Sequence, residues 1–256
     1  MAHAKWNRGS GFRLIAHRGG VVEGQHPENS AAAVVGAIER GYAMVEIDVR
    51  LTADGQIVCF HDNTVRRRPV GRIPVHRLTL AELRRRAGGW VLTLEQMVDI
   101  CEDRISIMLD TKSDPIDVPG QDDFLQRVCA TLDRSGLLRT AYCIGSEKSK
   151  EFFRGFAHTA VLYNELTVGE RTLKSIGPAE FLFGHGNEID PKVAREAVEL
   201  GVRLVASVNR FHYFPRRATY DAAIADIRAL VEAGCTEFQI DSEYDRFFAE
   251  PANALR

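Results

Sequence analysis

The sequence predicts an α/β protein built as a closed (βα)8 TIM barrel, with a β-hairpin extension after strand two and a shortened insertion behind it. Eight short apolar runs, rich in β-branched and aromatic residues, alternate with segments of helical period. Several of those segments end in a glycine just before the next run, at Gly41, Gly136, Gly201 and Gly234, where a left-handed cap costs least. The chain has 256 residues, and a single barrel of this kind typically needs roughly 250. An open doubly wound sheet is the alternative architecture. No Gly-x-Gly-x-x-Gly follows the first run, which weakens its dinucleotide-binding form.

In chain order the strands are expected at "FRLIAH", "AMVEIDV", "ISIMLDT", "TAYCIG", "TAVLYN", "EFLFGH", "VRLVASV" and "EFQIDS". Between them, helices are expected at Glu28 to Arg40, Leu94 to Glu102, Asp122 to Arg134, Lys148 to Phe156, Gly169 to Ser175, Pro191 to Leu200 and Ala222 to Ala233. The start at Pro191 is marked by Asp190 as an N-cap before a first-turn proline. Leu51 to Gly89 fits no βα unit; it holds the return of the hairpin and a short "TLAELRRR" helix. With no linker and no shift in composition, residues 1–256 read as one domain.

Bulk charge excludes some partners. With 33 basic and 35 acidic residues the net charge is −2, so no general field draws nucleic acid or an anionic membrane. No run approaches the ~18 apolar residues of a membrane span, and "MAHAKWNRGSGF" lacks an apolar leader core, so a cytoplasmic protein is expected. The five cysteines have no metal-type spacing and read as buried free thiols.

The stretch "VEIDVRLTADGQIVCFHD" carries the functional information. Asp54-Gly55 suits a two-residue hairpin bend, which pairs Ala53 with Gln56 and sets Asp48 opposite His61. Period two places Glu46 on the same face as Asp48. Two such acids repel unless a cation lies between them, and Mg²⁺ or Ca²⁺ prefers oxygen ligands. A solvated, alternating surface strand would also give Glu-x-Asp; the His-Asp on the return strand favours the cation reading.

Reactive groups of a βα barrel gather at the C-terminal strand ends. There "AHRGG" offers His17 and Arg18, and "LDTKS" offers Asp110 and Lys112. The set holds three carboxylates for a cation, two cations for an anionic oxygen, and two imidazoles that titrate near neutrality to take and give a proton. Cleavage of a phosphate ester needs this combination. Acyl transfer would need a Gly-x-Ser-x-Gly elbow or a paired Cys-His motif, and neither is present.

These residues resemble the glycerophosphodiester phosphodiesterase family of (βα)8 barrels. The likeness rests on "IAHRGG", "HPENS", "EIDVRLTADGQIVCFHD", "LTLAEL", "TLEQ" and "LDTK" over roughly the first 112 residues, and more weakly on "SVN" and "IDS" beyond them. It implies that His17 and His61 are the acid-base pair, that Glu46, Asp48 and Asp110 hold a divalent metal, and that Arg18 and Lys112 bind phosphate. It also implies a small-molecule phosphodiester substrate, with attack by the substrate's own neighbouring hydroxyl and a cyclic phosphate that water then opens. Glu28 and Asn29 match an element that borders the mouth and starts the first helix. Asp110 replaces a glutamate usual in the family and is one methylene shorter. Ala206 and Ser207 stand in place of a usual tryptophan and threonine, which implies a smaller pocket wall, and Asp241 is kept while the proline of the last motif is lost.

Further candidates border the presumed mouth. The run Arg66, Arg67 and Arg68, with Arg72, His76 and Arg77, is either a solvated face or a site for a second anion. Phe211, Tyr213 and Phe214 follow strand seven and would either cover substrate or pack on the rim, and His185 ends strand six pointing inward or packs there. His3, His158 and His212 have no constellation around them. Four readings compete: a phosphodiester hydrolase; a lyase on the same scaffold that stops at the cyclic ester, or an enzyme for an opine-like sugar phosphodiester; a non-catalytic phosphate-binding module; and a metal-dependent sugar isomerase.

Overall fold

The structure is a computed structural model that describes residues 11–20, 26–66, 71–112, 123–213 and 219–249. Its strands are β1 (Arg13–Ala16), β2 (Met44–Leu51), β3 (Ile57–Cys59), β4 (Thr64–Arg66), β5 (Arg72–Pro74), β6 (Ser106–Thr111), β7 (Tyr142–Cys143), β8 (His158–Leu162), β9 (Glu180–His185), β10 (Leu204–Val208) and β11 (Glu237–Ile240). Eight of them, all but β3 to β5, pair in parallel in chain order. The ring closes where β1 lies between β2 and β11, with Ile15 beside Met44 and Ala16 beside Ile240. The predicted barrel is therefore present. β3 is added antiparallel to β2, and β4 and β5 form a separate two-stranded ribbon.

The helices are α1 (Ala31–Arg40), α2 (Leu80–Ala87), α3 (Leu94–Cys101), α4 (Phe124–Arg134), α5 (Glu147–Phe153), α6 (Tyr163–Thr167), α7 (Pro191–Glu199), α8 (Arg210–Tyr213) and α9 (Thr219–Glu232). Two expectations need correction. The first helix starts at Ala31, not Glu28, because Asn29 is left-handed (φ 55°) and the Ser30 hydroxyl caps the Ala33 N–H. The helix expected at Gly169 to Ser175 is only a short 3-10 turn, Leu173–Ser175. The helical turn that follows β8 is α6, whose Glu165 carboxylate accepts the Leu162 N–H at 2.8 Å and ends the strand there.

Alternation along the barrel strands separates two environments. Val45, Ile47, Val49 and Leu51 of β2 join the main core between barrel and helices. Met44 instead faces the barrel axis, in a cluster with Ile15, Met108, Tyr142, Phe181 and Val205. Tyr142 and Phe181 stack there at 4.5 Å, worth about 0.5–1.5 kcal/mol beyond their burial. This apolar plug fills the lower interior. Because the period is two, Glu46 and Asp48 above Met44, and Asp110 above Met108, must point to the same axis at the open end.

The insertion has a small core of its own, in which Val58, Phe60, Val65, Val75, Leu78, Leu83 and Val91 pack together. α2 is fixed by a capping box, in which Thr79 and Glu82 satisfy each other's backbone N–H groups. Cys59, Cys101, Cys143 and Cys235 are buried free thiols, as expected, while Cys129 is half-buried.

Candidate active site

The hairpin register differs from the expected one by a single residue. Val49 pairs with Cys59 and Leu51 with Ile57, so Asp48 lies opposite Phe60, whose N–H donates to the Asp48 carbonyl at 2.9 Å. The loop is Ala53-Asp54-Gly55, closed by Thr52 N–H to Gln56 O at 3.0 Å. Asp54 is drawn away from a two-residue bend because its carboxylate accepts the Thr52 hydroxyl and the Leu80 N–H. A slip of one residue in a continuing strand would turn His61 away from Asp48. β3, however, stops at Cys59, and the chain beyond it brings His61 back to the mouth. The Arg50 guanidinium fixes that turn by donating twice to the His61 carbonyl, at 3.0 and 2.8 Å.

At the mouth, Glu46, Asp48 and Asp110 bring carboxylate oxygens within 4.8 Å of one another. Burial, and then the charges of Asp48 and Asp110, push Glu46 well above the ordinary carboxylate range. Burial alone would raise Asp48 too, but Lys112 and then His61 hold it below its usual value. Asp110 is raised by burial in spite of Lys112. Lys112 itself, against the effect of burial, is carried up to about 12 by Asp48 and Asp110. Its ammonium lies 2.8 Å from Asp48 and also contacts Asp110. Three converging carboxylates, one of them driven towards protonation by the others, are an oxygen donor set that fits a hard divalent cation.

Asn29, expected only to border the mouth and start the first helix, reaches the acids themselves. It is fully buried, donates from Nδ2 to Asp48 Oδ2 at 2.9 Å and accepts the Asp48 N–H at 3.2 Å. Arg18 and Asn29 both have positive φ, 52° and 55°. Such backbone is strained for a residue with a side chain, and here it has a use. The Arg18 N–H donates to Glu46 Oε2 at 2.8 Å while its guanidinium reaches Glu28 and His61, each at 2.8 Å.

Each histidine of the expected pair has a carboxylate behind it. His17 Nδ1 lies 2.7 Å from Asp241 Oδ1, and His61 Nδ1 lies 3.0 Å from Asp62 Oδ1. Ionised carboxylates only accept, so each neutral ring carries its proton on Nδ1 and leaves Nε2 as an acceptor. The His61 Nε2 accepts from Arg18, consistent with that tautomer. Asp241, a possible substrate-loop residue by its place after the last strand, backs His17, and the Arg210 N–H at 2.6 Å holds its other oxygen.

The remaining candidates divide. His185 is at the tip of β9, and His212 on α8 stacks on it with ring centroids 3.6 Å apart. Burial, then His185 and His17, bring His212 down to about 4, so this residue does have a constellation. Phe211 is exposed at the rim, whereas Tyr213 is fully buried in the main core. Ala206 packs in that core rather than on a pocket wall, while Ser207 donates inward to Gln239 at 2.6 Å. Arg67, Arg68 and Phe214 lie outside the described residues.

Residues 17–149 match the model of the glycerophosphoryl diester phosphodiesterase family, more than half of the chain. The chain belongs to that family. Bacillus subtilis YhdW is 36% identical to it over 115 residues, 41% of this chain and 46% of that protein. The glycerophosphodiester phosphodiesterase of Caldanaerobacter subterraneus is 33% identical over 123 residues, 44% of this chain and 50% of that one. The chain thus spans about half the length of the curated relatives it matches. A glycerophosphodiester phosphodiesterase from Parabacteroides distasonis has the same fold, with a TM-score of 0.69 at 21% identity over 94% of this chain and 98% of that one. The family match covers Glu46, Asp48, His61, Asp110 and Lys112 and begins at His17, so it contains the whole mouth except Asp241, His185 and His212.

Proposed function

We propose that the protein is a metal-dependent phosphoric diester hydrolase that cleaves a glycerophosphodiester, or a sugar phosphodiester, to an alcohol and a phosphomonoester such as glycerol 3-phosphate. One observation carries the reading: two imidazoles, each with Nδ1 on a carboxylate, share a mouth with Arg18, Lys112 and a convergent carboxylate trio. A binding module needs cations but no pair of proton-transfer groups, and a sugar isomerase needs no arginine-lysine clamp.

In this reading Arg18 and Lys112 hold the non-bridging phosphate oxygens. One imidazole takes the proton of the substrate's attacking hydroxyl at Nε2 and the other returns a proton to the leaving alkoxide, giving a cyclic ester. Water, which gives up its proton to one imidazole while the other protonates the ester oxygen that leaves, then opens it to the phosphomonoester. Asp241 and Asp62 keep both rings in the Nδ1–H tautomer and steady the imidazolium that forms. Glu46, Asp48 and Asp110 would hold Mg²⁺ or Ca²⁺, which would supply positive charge to offset the charge that develops on the phosphoryl group. Asn29 orients Asp48 for that task.

Among the described residues no helix is long and apolar enough to cross a membrane, and the unpaired cysteines fit a reducing compartment. The reading includes a cytoplasmic site of action on a small molecule, which the unpaired cysteines support. The test is a hydrolysis screen over glycerophosphocholine, glycerophosphoethanolamine, glycerophosphoinositol and sugar phosphodiesters, with and without metal, followed by phosphorus NMR. Release of a phosphomonoester supports the hydrolase, a persistent cyclic ester makes the protein a lyase, and phosphate affinity without turnover defeats the catalytic reading.

A further inference from the structure

A second concavity opens beside the catalytic mouth, between the β4-β5 ribbon and α2, and the reaction outlined above makes no use of it. It encloses about 490 Å³, within the range of roughly 300–1,000 Å³ typical of small-molecule sites. Two of its lining residues, Phe60 and Trp90, stack with ring centroids 5.9 Å apart, and Trp90 is pinned by its Nε1–H to the Ala87 carbonyl at 3.0 Å. Three arginines line it as well: Arg66, Arg72 and Arg86.

The charges of this cleft are not balanced within it. Its two acids are already engaged, Glu28 with Arg18, and Asp62 with His61 and Arg72. Arg72 is further held by the Thr64 hydroxyl at 2.6 Å. Arg66 and Arg86 are exposed and, among the described residues, form no ion pair. An aromatic pair beside two guanidinium groups that form no ion pair among the described residues, with Glu82 only a longer-range neighbour of Arg86, offers a face for a sugar or polyol ring and a fork for an anion.

The same two acids join the cleft to the catalytic groups. Glu28, which holds Arg18, and Asp62, which backs His61, both line the cleft, so the cleft and the catalytic groups share two walls. We propose that this cleft receives the alcohol end of the diester and selects a polyol or sugar alcohol that carries a second anionic group, such as a phosphomonoester. The proposal rests on the phosphodiesterase reading and names its substrate class.

The test compares kcat/KM for glycerophosphoinositol with that for glycerophosphoinositol 4-phosphate. The wild-type enzyme should prefer the phosphorylated diester by about tenfold or more, the worth of a charge-assisted hydrogen bond. In an Arg66→Ala/Arg86→Ala double variant that ratio should fall towards unity, through KM rather than kcat, and an Arg66→Lys/Arg86→Lys variant should keep part of it. Because the readout is a ratio within one protein, loss of folded enzyme does not move it. Equal kcat/KM values in the wild type, or a ratio that survives the alanine variant, overturn the cleft assignment and leave the phosphodiesterase standing. Inhibition by vesicles carrying the same phosphorylated head group, with no preference among the free diesters, reassigns the arginines to a lipid surface. No turnover on any diester removes the catalytic reading and this proposal with it.

Discussion

His17 and Asp241 meet at 2.7 Å although 224 positions separate them in the chain. The first strand of the barrel delivers the ring and the last delivers the carboxylate, through the β1-β11 pairing. His61 obtains its partner in the opposite way, from the very next residue, Asp62. The two sides of the mouth are thus built by unrelated routes to the same chemical end.

Removing either imidazole should therefore be severe. His17→Ala and His61→Ala are each expected to lower kcat by at least about a hundredfold, the usual worth of a positioned acid or base. Asp241→Asn keeps the size of the partner but loses the charge that fixes the tautomer, and should lower kcat by about tenfold or more with little change in KM. Steady-state kinetics on glycerophosphocholine would decide; near-normal rates in both alanine variants would end the assignment.

The carboxylate trio leads to a metal prediction that does not depend on turnover alone. Dialysis against a chelator should abolish activity, and Mg²⁺ or Ca²⁺ should restore it. The same additions should raise the melting temperature of the chelated protein, since a ligand that binds only the folded state stabilises it by mass action. A melting curve indifferent to both cations would argue against the site.

Asn29 acts on the metal through Asp48. Asn29→Gly keeps the left-handed backbone accessible while removing both contacts to Asp48. It is expected to raise the cation concentration for half-activation by about 10- to 100-fold, as losses of outer-shell partners usually do. The saturated rate should change far less, which separates weakened metal binding from general damage.

His212 gives the stability a pH dependence. Its folded value, about 4, lies below the ordinary 6.5 because of burial and the neighbouring His185 and His17. Below pH 6.5 the unfolded chain takes up a proton that the folded one refuses, so this residue's contribution is complete above that pH and is lost as the pH falls towards 4. His212→Phe preserves a ring against His185 and has no proton to gain. The melting temperature of the wild type should accordingly drop further between neutral pH and pH 4 than that of the variant, by thermal melts in matched buffers; parallel curves would contradict this.

Much of the mouth was legible because it rests on period two. Glu46 and Asp48 alternate with core residues on β2, and Asp110 does the same on β6, so the sequence pattern alone put the acids on the barrel axis. The hairpin register differs by one residue from the expected one because Asp54-Gly55 suits a two-residue bend equally well, and the Asp54 contacts to the Thr52 hydroxyl and, from outside the hairpin, the Leu80 N–H favour three. His61 reached the mouth regardless, because β3 ends at Cys59. α6 was missed because "TAVLYN" has no local signal to stop the strand; the Glu165 cap that stops it comes three residues later. The partnership of His17 with Asp241 joins the two ends of the chain through closure of the ring, and the contact of His185 with His212 follows from the pairing of β9 with β10; neither is written in a local pattern.

That closure ties catalysis to the most exposed event in the barrel's lifetime, the docking of its final strand against its first. The acids, Lys112 and His61 sit on β2, β6 and the segments that follow β6 and β3, whereas the carboxylate that steadies His17 comes only with β11. On warming, activity should consequently fade while most helices are still intact, because opening at one seam requires less free energy than melting the whole ring.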